Sequence, residues 1–151
     1  ILRCLVGSEM CIRDSFIYNE KNIKNYMVVT FDLNNLKMCN DNYGHSSGDA
    51  YIIHSAHIIE TTFDRFGKCY RIGGDEFCCL IPDAAEFQIE RFIQKMQQDI
   101  AILNNKNIIP TEVGIACGYA LATPDDADIE KVRERADEMM YHNKKVLKGL
   151  I

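Results

Sequence analysis

The stretch Arg71-Ile72-Gly73-Gly74-Asp75-Glu76-Phe77 places a pair of glycines and a pair of carboxylates between two apolar runs. The runs cover residues 69–72 and 76–81, so the pattern predicts two strands of a hairpin that turns at the glycine pair. We expect glycine here because its backbone enters turn conformations that strain other residues. Such a turn places the two carboxylates where they can hold a metal ion against a phosphate group.

Upstream, the apolar run 27–33 has the nearly continuous pattern of a central strand that is covered on both faces. The asparagines at 34–35 predict the cap of a short helix near 36–43, and Gly44 predicts its end. A second helix is predicted to open at serine 46 or 47. One apolar stripe along this second helix consists of Ile52, Ala56, Ile59 and Phe63.

Downstream, apolar residues at helical spacing predict a long amphipathic helix over residues 84–104. Residues 113–121 alternate large apolar side chains with Gly or Ala, which predicts a strand with a small face on which a helix packs closely. The segment 125–128 predicts the start of the last helix. The order β-α-α-β-β-α-β-α predicts an α+β fold of ferredoxin-like or polymerase-palm-like type, with helices flanking a central, mostly antiparallel sheet.

Composition excludes several classes of protein. The 151 residues carry a net charge of −5, and Lys and Arg are scattered, so we expect no nucleic-acid polymer as a partner. The seven cysteines form no C-x-x-C pair, which is typical of reduced core residues in a cytoplasmic protein. No apolar run approaches the length of a membrane span, so we expect no membrane contact by this domain.

The amino end differs from the rest of the chain. Residues 1–15 begin without methionine and follow neither a helical nor an alternating period. We interpret 1–15 as a non-native or disordered leader, and 16–151 as a single domain that is truncated at its amino end. The remainder has no internal repeat, linker or low-complexity stretch, which supports one domain.

Four motifs occur in order: Asp-Leu-Asn-Asn-Leu-Lys at 32–37, Asn-Asp-x-Tyr-Gly-His-x-x-Gly-Asp at 40–49, Arg-x-Gly-Gly-Asp-Glu-Phe at 71–77 and Arg-Ala-Asp-x-x-Met-Tyr-x-x-Lys at 135–144. With them, residues 27–148 resemble the GGDEF domain family of diguanylate cyclases. The resemblance implies condensation of two GTP molecules into cyclic di-GMP, with release of two pyrophosphates. It also implies a homodimer in which each domain presents one GTP, and a sensor domain in the full-length protein that this sequence lacks.

By the same resemblance, Asp32, the carbonyl of Leu33 and Asp75 bind Mg²⁺ or Mn²⁺, with two ions at each GTP site. Asp75 is also the expected base for the attacking 3′-hydroxyl, and Glu76 is expected to support the metal shell or the partner subunit. The chemistry agrees, because two carboxylates that meet at one point repel each other unless a cation lies between them. The alternatives are a strand-end carboxylate in water for Asp32 and an acidic hairpin tip for the other two.

The resemblance also assigns residues to the phosphates of GTP. The N–H groups of Asn35 and Leu36 are expected at the terminal phosphates, because a helix start attracts anions. Lys37 is expected to stabilise charge in the transition state. Lys144 and Lys148, one helical turn apart, are expected to bind the β- and γ-phosphates, or alternatively to be ordinary cations at a helix end. The family usually has arginine at the position of Lys148, so we expect weaker GTP binding.

Asn40 and Asp49 are expected to read guanine, because an amide offers a donor and an acceptor while a carboxylate accepts from the N–H groups of the base. The alternative for Asn40 is a surface helix residue. For Asp49 it is a capping box, since Ser46-x-x-Asp49 has the right spacing. The family's product-inhibition motif, Arg-x-x-Asp, is replaced by Asp64 and Gly67, so we expect no inhibition at that site.

Two other functions remain open. One is a catalytically inactive GGDEF-like domain that binds GTP or acts as a regulatory module, and the other is an interaction domain of ferredoxin-like fold. Binding of GTP without formation of a dinucleotide would indicate the first. Failure to bind GTP, with no difference between the parent and the Asn40→Ala and Asp49→Ala controls, would indicate the second.

Overall fold

The structure, a computed structural model, describes residues 25–150, so the interpretation of residues 1–15 lies outside the described part. The elements are β1 Met27–Leu33, α1 Leu36–Tyr43, α2 His45–Phe63, β2 Lys68–Arg71, β3 Glu76–Ile81, α3 Ile89–Asn105, β4 Ile115–Leu121 and α4 Ile129–Leu147. This order is the predicted one. Within residues 25–150, no helix combines the length and the apolar character that a membrane crossing requires.

The four strands form one sheet in the order β2-β3-β1-β4, and every neighbouring pair is antiparallel. β1 is therefore an interior strand, and all of its residues are buried, as its continuous apolar run predicted. Its Asp32 lies opposite Glu76 of β3 on one side and Ala116 of β4 on the other. The predicted α+β fold with a central antiparallel sheet and flanking helices is confirmed.

Helices cover the sheet on both faces. Phe31 belongs to a large apolar cluster with residues of α1, α2 and α3, whereas Val28 belongs to a smaller cluster with residues of α4. A Cβ built on Gly118 of β4 would lie 2.2 Å from the carbonyl oxygen of Ala136, so α4 approaches the sheet closely. The small face predicted for this strand is thus confirmed, and it lets the end of α4 carry Lys144 to Asp32.

Two predicted boundaries are wrong because local hydrogen bonds compete with regular structure. The helix predicted from residue 84 begins at Ile89. The N–H of Ala84 donates to the carbonyl of Asn25 at 2.7 Å instead of joining a helix. The strand predicted from residue 113 begins two residues later, because the backbone N–H and carbonyl of Val113 both bond to the side-chain amide of Asn104, at 2.8 and 3.0 Å.

The start of α2 also differs from the prediction. The helix begins at His45 with Gly44 as its N-cap, so a cap at serine 46 or 47 is wrong. Gly44 has φ 89°, a left-handed backbone that starts the helix early and places the serines inside its first turn. Within the described part of the chain, no side-chain capping hydrogen bond is made at the start of α2, and the capping box over residues 46–49 is not formed. Asp128 does cap α4, where its side chain accepts from the N–H of Lys131 at 3.2 Å.

Candidate functional site

The predicted acidic residues meet at the end of two paired strands. Asp32 lies opposite Glu76 in the register of β1 and β3, and the N–H of Leu33 donates to the carbonyl oxygen of Asp75 at 2.9 Å. Burial raises the pKa of Asp32 above 3.8, the Lys144 ammonium opposes that rise, and the carboxylate of Asp75 adds to it. Burial, followed by the charges of Asp32 and Asp75, likewise raises the pKa of Glu76. The three carboxyl groups therefore share one electrostatic environment.

The two carboxylate oxygens of Asp32 have different surroundings. Oδ2 accepts a hydrogen bond from Nζ of Lys144 at 2.8 Å, and this bond raises the pKa of Lys144. Oδ1 is buried and has no hydrogen-bond partner within residues 25–150. An unsatisfied buried carboxylate oxygen costs free energy, so a cation that reached Oδ1 would be bound favourably.

These donors fit a hard divalent cation such as Mg²⁺. Asp32, Asp75 and the carbonyl of Leu33 provide hard oxygen ligands at one strand end, and Mg²⁺ typically combines one or two protein carboxylates with waters and phosphate oxygens. Across residues 25–150, no group of three or more His, Cys, Asp or Glu side chains is arranged to hold a metal ion. Glu76 thus does not complete a three-carboxylate site, and its place in the metal shell stays a prediction.

The hairpin tip is shaped by an arginine. Nε of Arg71 donates to the carbonyl of Gly73, and its second terminal nitrogen donates to the carbonyl of Gly74, both at 3.0 Å. Neither glycine of the pair has a positive φ, since among the described glycines only Gly44 and Gly149 do. A Cβ on Gly74 would meet no atom within 4 Å, so the turn leaves open space beside Asp75.

The turn between β1 and α1 presents N–H groups that no described side chain caps. Asn35 is the N-cap, with φ 61° and ψ 25°, and makes no capping hydrogen bond, so the predicted side-chain cap at 34–35 is wrong. Left-handed Asn departs from the extended backbone from which a capping side chain reaches the first turn. The N–H groups of Leu36 and Lys37 therefore lie at an uncapped helix start, where the helix dipole favours anions.

Tyr51, which the sequence analysis missed, fixes this turn. Its fully buried hydroxyl donates to the carbonyl of Asn34 at 2.6 Å and accepts from the N–H of Gly114 at 2.9 Å. Burial raises the pKa of Tyr51 to about 12, so it remains a neutral phenol. The signal was a second helical stripe: Tyr51, Ser55 and Thr62 share one face of α2 and are all buried.

An open cleft of about 450 Å³ lies at this turn. The predicted residues that line it are Leu33, Asn35, Leu36, Lys37, Asp75, Lys144 and Lys148. Met38, Asp41 and Asn42 line it as well. The sequence analysis missed them, although their helical spacing from Lys37 places them on one face of α1. The cleft thus gathers the predicted phosphate residues with Leu33 and Asp75, whereas the predicted metal residues Asp32 and Glu76 are not among its lining residues.

The two predicted guanine readers lie outside this cleft. Asp49 lines a separate groove of about 520 Å³, with Ile52 and Arg71 among its neighbours. Asn40 lies on α1 against Gly48 of α2, where an added Cβ would be 1.6 Å from the Asn40 Oδ1. Gly48, which precedes Asp49 in the chain, thus leaves room for the Asn40 amide. The sequence analysis did not give Gly48 this role.

The fold and the site define a class of protein: a palm-like antiparallel sheet with paired acidic residues at a glycine hairpin, beside an uncapped helix start. The chain belongs to the GGDEF family, because residues 14–148 match the family described as "Diguanylate cyclase, GGDEF domain". Diguanylate cyclase DgcN of Escherichia coli is 31% identical over 123 residues, which are 80% of this chain and 30% of that protein. An uncharacterized membrane protein of Staphylococcus saprophyticus is 30% identical over 82% of this chain and 35% of its own length. The chain therefore spans about a third of these two relatives.

Solved structures share the fold. The GGDEF domain of DgcB from Caulobacter crescentus, in complex with c-di-GMP, has a TM-score of 0.74 and 22% identity over 91% of this chain and 81% of that chain. The active GGEEF domain of a diguanylate cyclase from Vibrio cholerae has the same TM-score and 20% identity, over 92% of this chain and 89% of that chain. At these identities the likeness establishes the architecture alone.

Proposed function

We propose that this domain is a metal-dependent diguanylate cyclase that condenses two GTP molecules into cyclic di-GMP and two pyrophosphates. The observation that carries the proposal is Oδ1 of Asp32, which is buried, has no hydrogen-bond partner among residues 25–150, and lies near the carboxylate of Asp75, a lining residue of the cleft. Family membership supports a nucleotidyltransferase chemistry, and the site supplies the residues for it.

In this proposal the triphosphate binds at the start of α1. The N–H groups of Asn35 and Leu36 donate to phosphate oxygens, and Lys37 faces the same cleft. Lys144 gives up its bond to Asp32 and moves to the β- and γ-phosphates, together with Lys148. An ammonium makes a single-point contact where guanidinium would make two, so Lys148 binds less tightly than an arginine would.

Asp32, Asp75 and the Leu33 carbonyl would hold two Mg²⁺ or Mn²⁺ ions, which when bound neutralise charge on the phosphate oxygens. Asp75 accepts the proton of the 3′-hydroxyl that attacks the α-phosphate, and the hairpin bonds of Arg71 hold its backbone in place. Glu76 supports the metal shell or contacts the partner subunit. Asn40 and Asp49 select guanine, and the separate groove at Asp49 implies that the base lies outside the phosphate cleft.

The reaction joins two nucleotides, so each domain of a homodimer presents one GTP to the other. Product inhibition at the family's Arg-x-x-Asp site is not expected, because Asp64 and Gly67 stand in its place. Gly67 also lacks room for a side chain, since an added Cβ would lie 2.1 Å from the carbonyl oxygen of Leu80.

The test is a forced dimer, made by fusing the domain to a parallel coiled coil and incubating it with GTP and Mg²⁺. Mass spectrometry should detect cyclic di-GMP and pyrophosphate. Asp75→Ala should abolish product, whereas Asp125→Ala, an exposed aspartate in the loop before α4, should retain it. If the dimer binds GTP and forms no dinucleotide, the regulatory alternative replaces the cyclase. If it binds no GTP, the interaction domain does.

A further inference from the structure

Two thiols that the proposed reaction does not use face each other in the sheet. Cys69 of β2 and Cys79 of β3 are direct cross-strand neighbours, and their Sγ atoms lie 3.3 Å apart. Both are buried, free thiols. They belong to the hairpin whose tip carries Asp75 and Glu76, so a bond between them would act on the element that holds the acidic pair.

The register places the two cysteines at a pair that a disulfide can span. The N–H of Ile72 donates to the carbonyl of Glu76 at 2.9 Å, which marks a hydrogen-bonded pair beside the turn. Hydrogen-bonded and non-hydrogen-bonded pairs alternate along an antiparallel ladder. Three residues further on, Cys69 and Cys79 therefore form a non-hydrogen-bonded pair, for which Cα atoms are typically about 4.5 Å apart. Disulfides span Cα separations of about 4.4–6.8 Å.

We propose that Cys69 and Cys79 form an oxidative modification site at which a peroxide converts two thiols into a cross-strand disulfide. The thiolate of Cys69 attacks one peroxide oxygen, the O–O bond breaks, and water leaves after protonation. The sulfur of Cys79 then attacks the resulting sulfenic acid, the S–S bond forms, and the S–O bond breaks with release of a second water. The two thiols lose two electrons and two protons, and one peroxide is reduced to two waters.

The position of β2 gives the oxidant access. β2 has four residues and lies at the edge of the sheet, so it is held by one neighbouring strand and opens more readily than β3 or β1. In the closed state, the hydrogen bond from Cys69 and burial raise the pKa of Cys79, which protects the pair from oxidation. Oxidation therefore proceeds through opening of β2, and the disulfide afterwards fixes β2 to the hairpin.

Peptide mapping tests the proposal without reference to cyclase activity. The reduced domain is treated with hydrogen peroxide under native conditions, its remaining thiols are alkylated, and it is cut with trypsin. Cleavage after Lys68, Arg71 and Arg91 releases Cys69 in a tripeptide and Cys79 in the peptide 72–91. We expect the two peptides to be joined, about 2 Da lighter than their sum, and separated again by a thiol reductant.

Cys78 provides the matched control, because it is the other cysteine of peptide 72–91 and packs in the cluster on the opposite face of the sheet. Cys78→Ala should retain the link and Cys79→Ala should lose it. Hydrogen exchange of the β2 amides should become slower in the oxidised parent. Unlinked peptides after oxidation of folded parent and Cys78→Ala would overturn the proposal, as would a link from Cys69 to Cys78. The parent and Cys78→Ala decide the matter even if Cys79→Ala fails to fold.

Discussion

Nζ of Lys144 lies 2.8 Å from Oδ2 of Asp32 and joins the last helix to the first strand across 112 residues of chain. The two side chains are only 25% and 8% exposed, so the ammonium partly compensates the more deeply buried charge of Asp32. A lysine thus occupies one oxygen of the carboxylate that we propose to hold magnesium. Nucleotide binding would exchange this ammonium for the metal ion and release it to the phosphates.

Replacing Lys144 with methionine should therefore destabilise the domain. The charge of Asp32 would stay buried without compensation, and we expect the free energy of unfolding in urea at pH 7 to fall by about 1–3 kcal/mol, less than for a fully buried pair because Lys144 is partly exposed. Lys145→Met is the matched control: its ammonium lies 4.7 Å from the centre of the exposed Tyr141 ring. There we expect a loss below about 1 kcal/mol. Equal losses of stability in the two variants would show that the ion pair between Lys144 and Asp32 contributes no more than the exposed contact of Lys145.

Asp32→Asn should not share the destabilising effect that we expect for Lys144→Met at pH 7. Because burial raises the pKa of folded Asp32 above its ordinary 3.8, ionisation costs the folded state more than the unfolded state. Stability should therefore fall as the pH rises from 3.8 through the raised pKa, and Asp32→Asn should lack this component. At pH 7 we expect the variant to be at least as stable as the parent in urea, while Mg²⁺-dependent GTP binding is lost. The prediction would be contradicted if Asp32→Asn were clearly less stable than the parent at pH 7 and if its free energy of unfolding changed with pH below 7 as steeply as that of the parent.

The pattern of apolar residues predicted the order of the helices and strands, because the elements differ in which of their residues are buried. All of β1 is buried, and β4 carries a small face against α4, so a period of two and a continuous run were both visible in the sequence. The predicted caps failed at the starts of α1 and α2. There Asn35 and Gly44 adopt left-handed backbone, and composition cannot distinguish a side chain that caps from one that does not.

Local sequence motifs predicted only part of the candidate site. Spacing along the chain identified Asp75 and the three lysines of the cleft, but it missed Asp41 and the contacts between distant elements. The bond between Lys144 and Asp32 depends on how closely α4 packs on Gly118, and the bridge from Tyr51 to Gly114 joins residues 63 apart. Neither pairing leaves a periodic signal in a single sequence, because each arises from tertiary packing.

Tyr51→Phe tests the bridge that positions the turn between β1 and α1, where we propose that the phosphates bind. The change removes one hydroxyl and leaves the carbonyl of Asn34 and the N–H of Gly114 without their partner in a buried place. We expect a loss of about 1–3 kcal/mol in the free energy of unfolding and weaker GTP binding by calorimetry. Tyr43→Phe, which changes an exposed side chain at the end of α1, should change neither. Unaltered stability together with unaltered GTP affinity would show that the hydroxyl does not position the turn.

Gly48→Ala tests whether Asn40 reads guanine. An added methyl would lie 1.6 Å from Oδ1 of Asn40, so the amide must move away while the helix backbone accepts alanine readily. We expect the preference for GTP over ATP in equilibrium binding to fall by roughly tenfold, about 1.4 kcal/mol, with the protein still folded. Ser46→Ala should leave both preference and stability unchanged, since this serine caps nothing. A preserved preference in Gly48→Ala would exclude Asn40 as the reader.

Arg135→Lys tests the loop that leads into α4. Arg135 donates to both carboxylate oxygens of Asp126 and to the carbonyl of Leu121. The hydrogen bonds that Asp126 accepts from Arg135 and from the N–H of Thr123 lower its pKa to about 2. A lowered folded pKa means that the stabilisation is present above the ordinary 3.8 and is lost as the pH falls through about 2. Lysine keeps the charge but cannot form the two-point contact, so NMR titration should show the Asp126 pKa moving back towards 3.8. Lys131→Arg, on the same helix, should leave the pKa of Asp126 unchanged. A similar rise of this pKa in both variants would show that the overall charge of α4, and not the two-point contact from Arg135, lowers it.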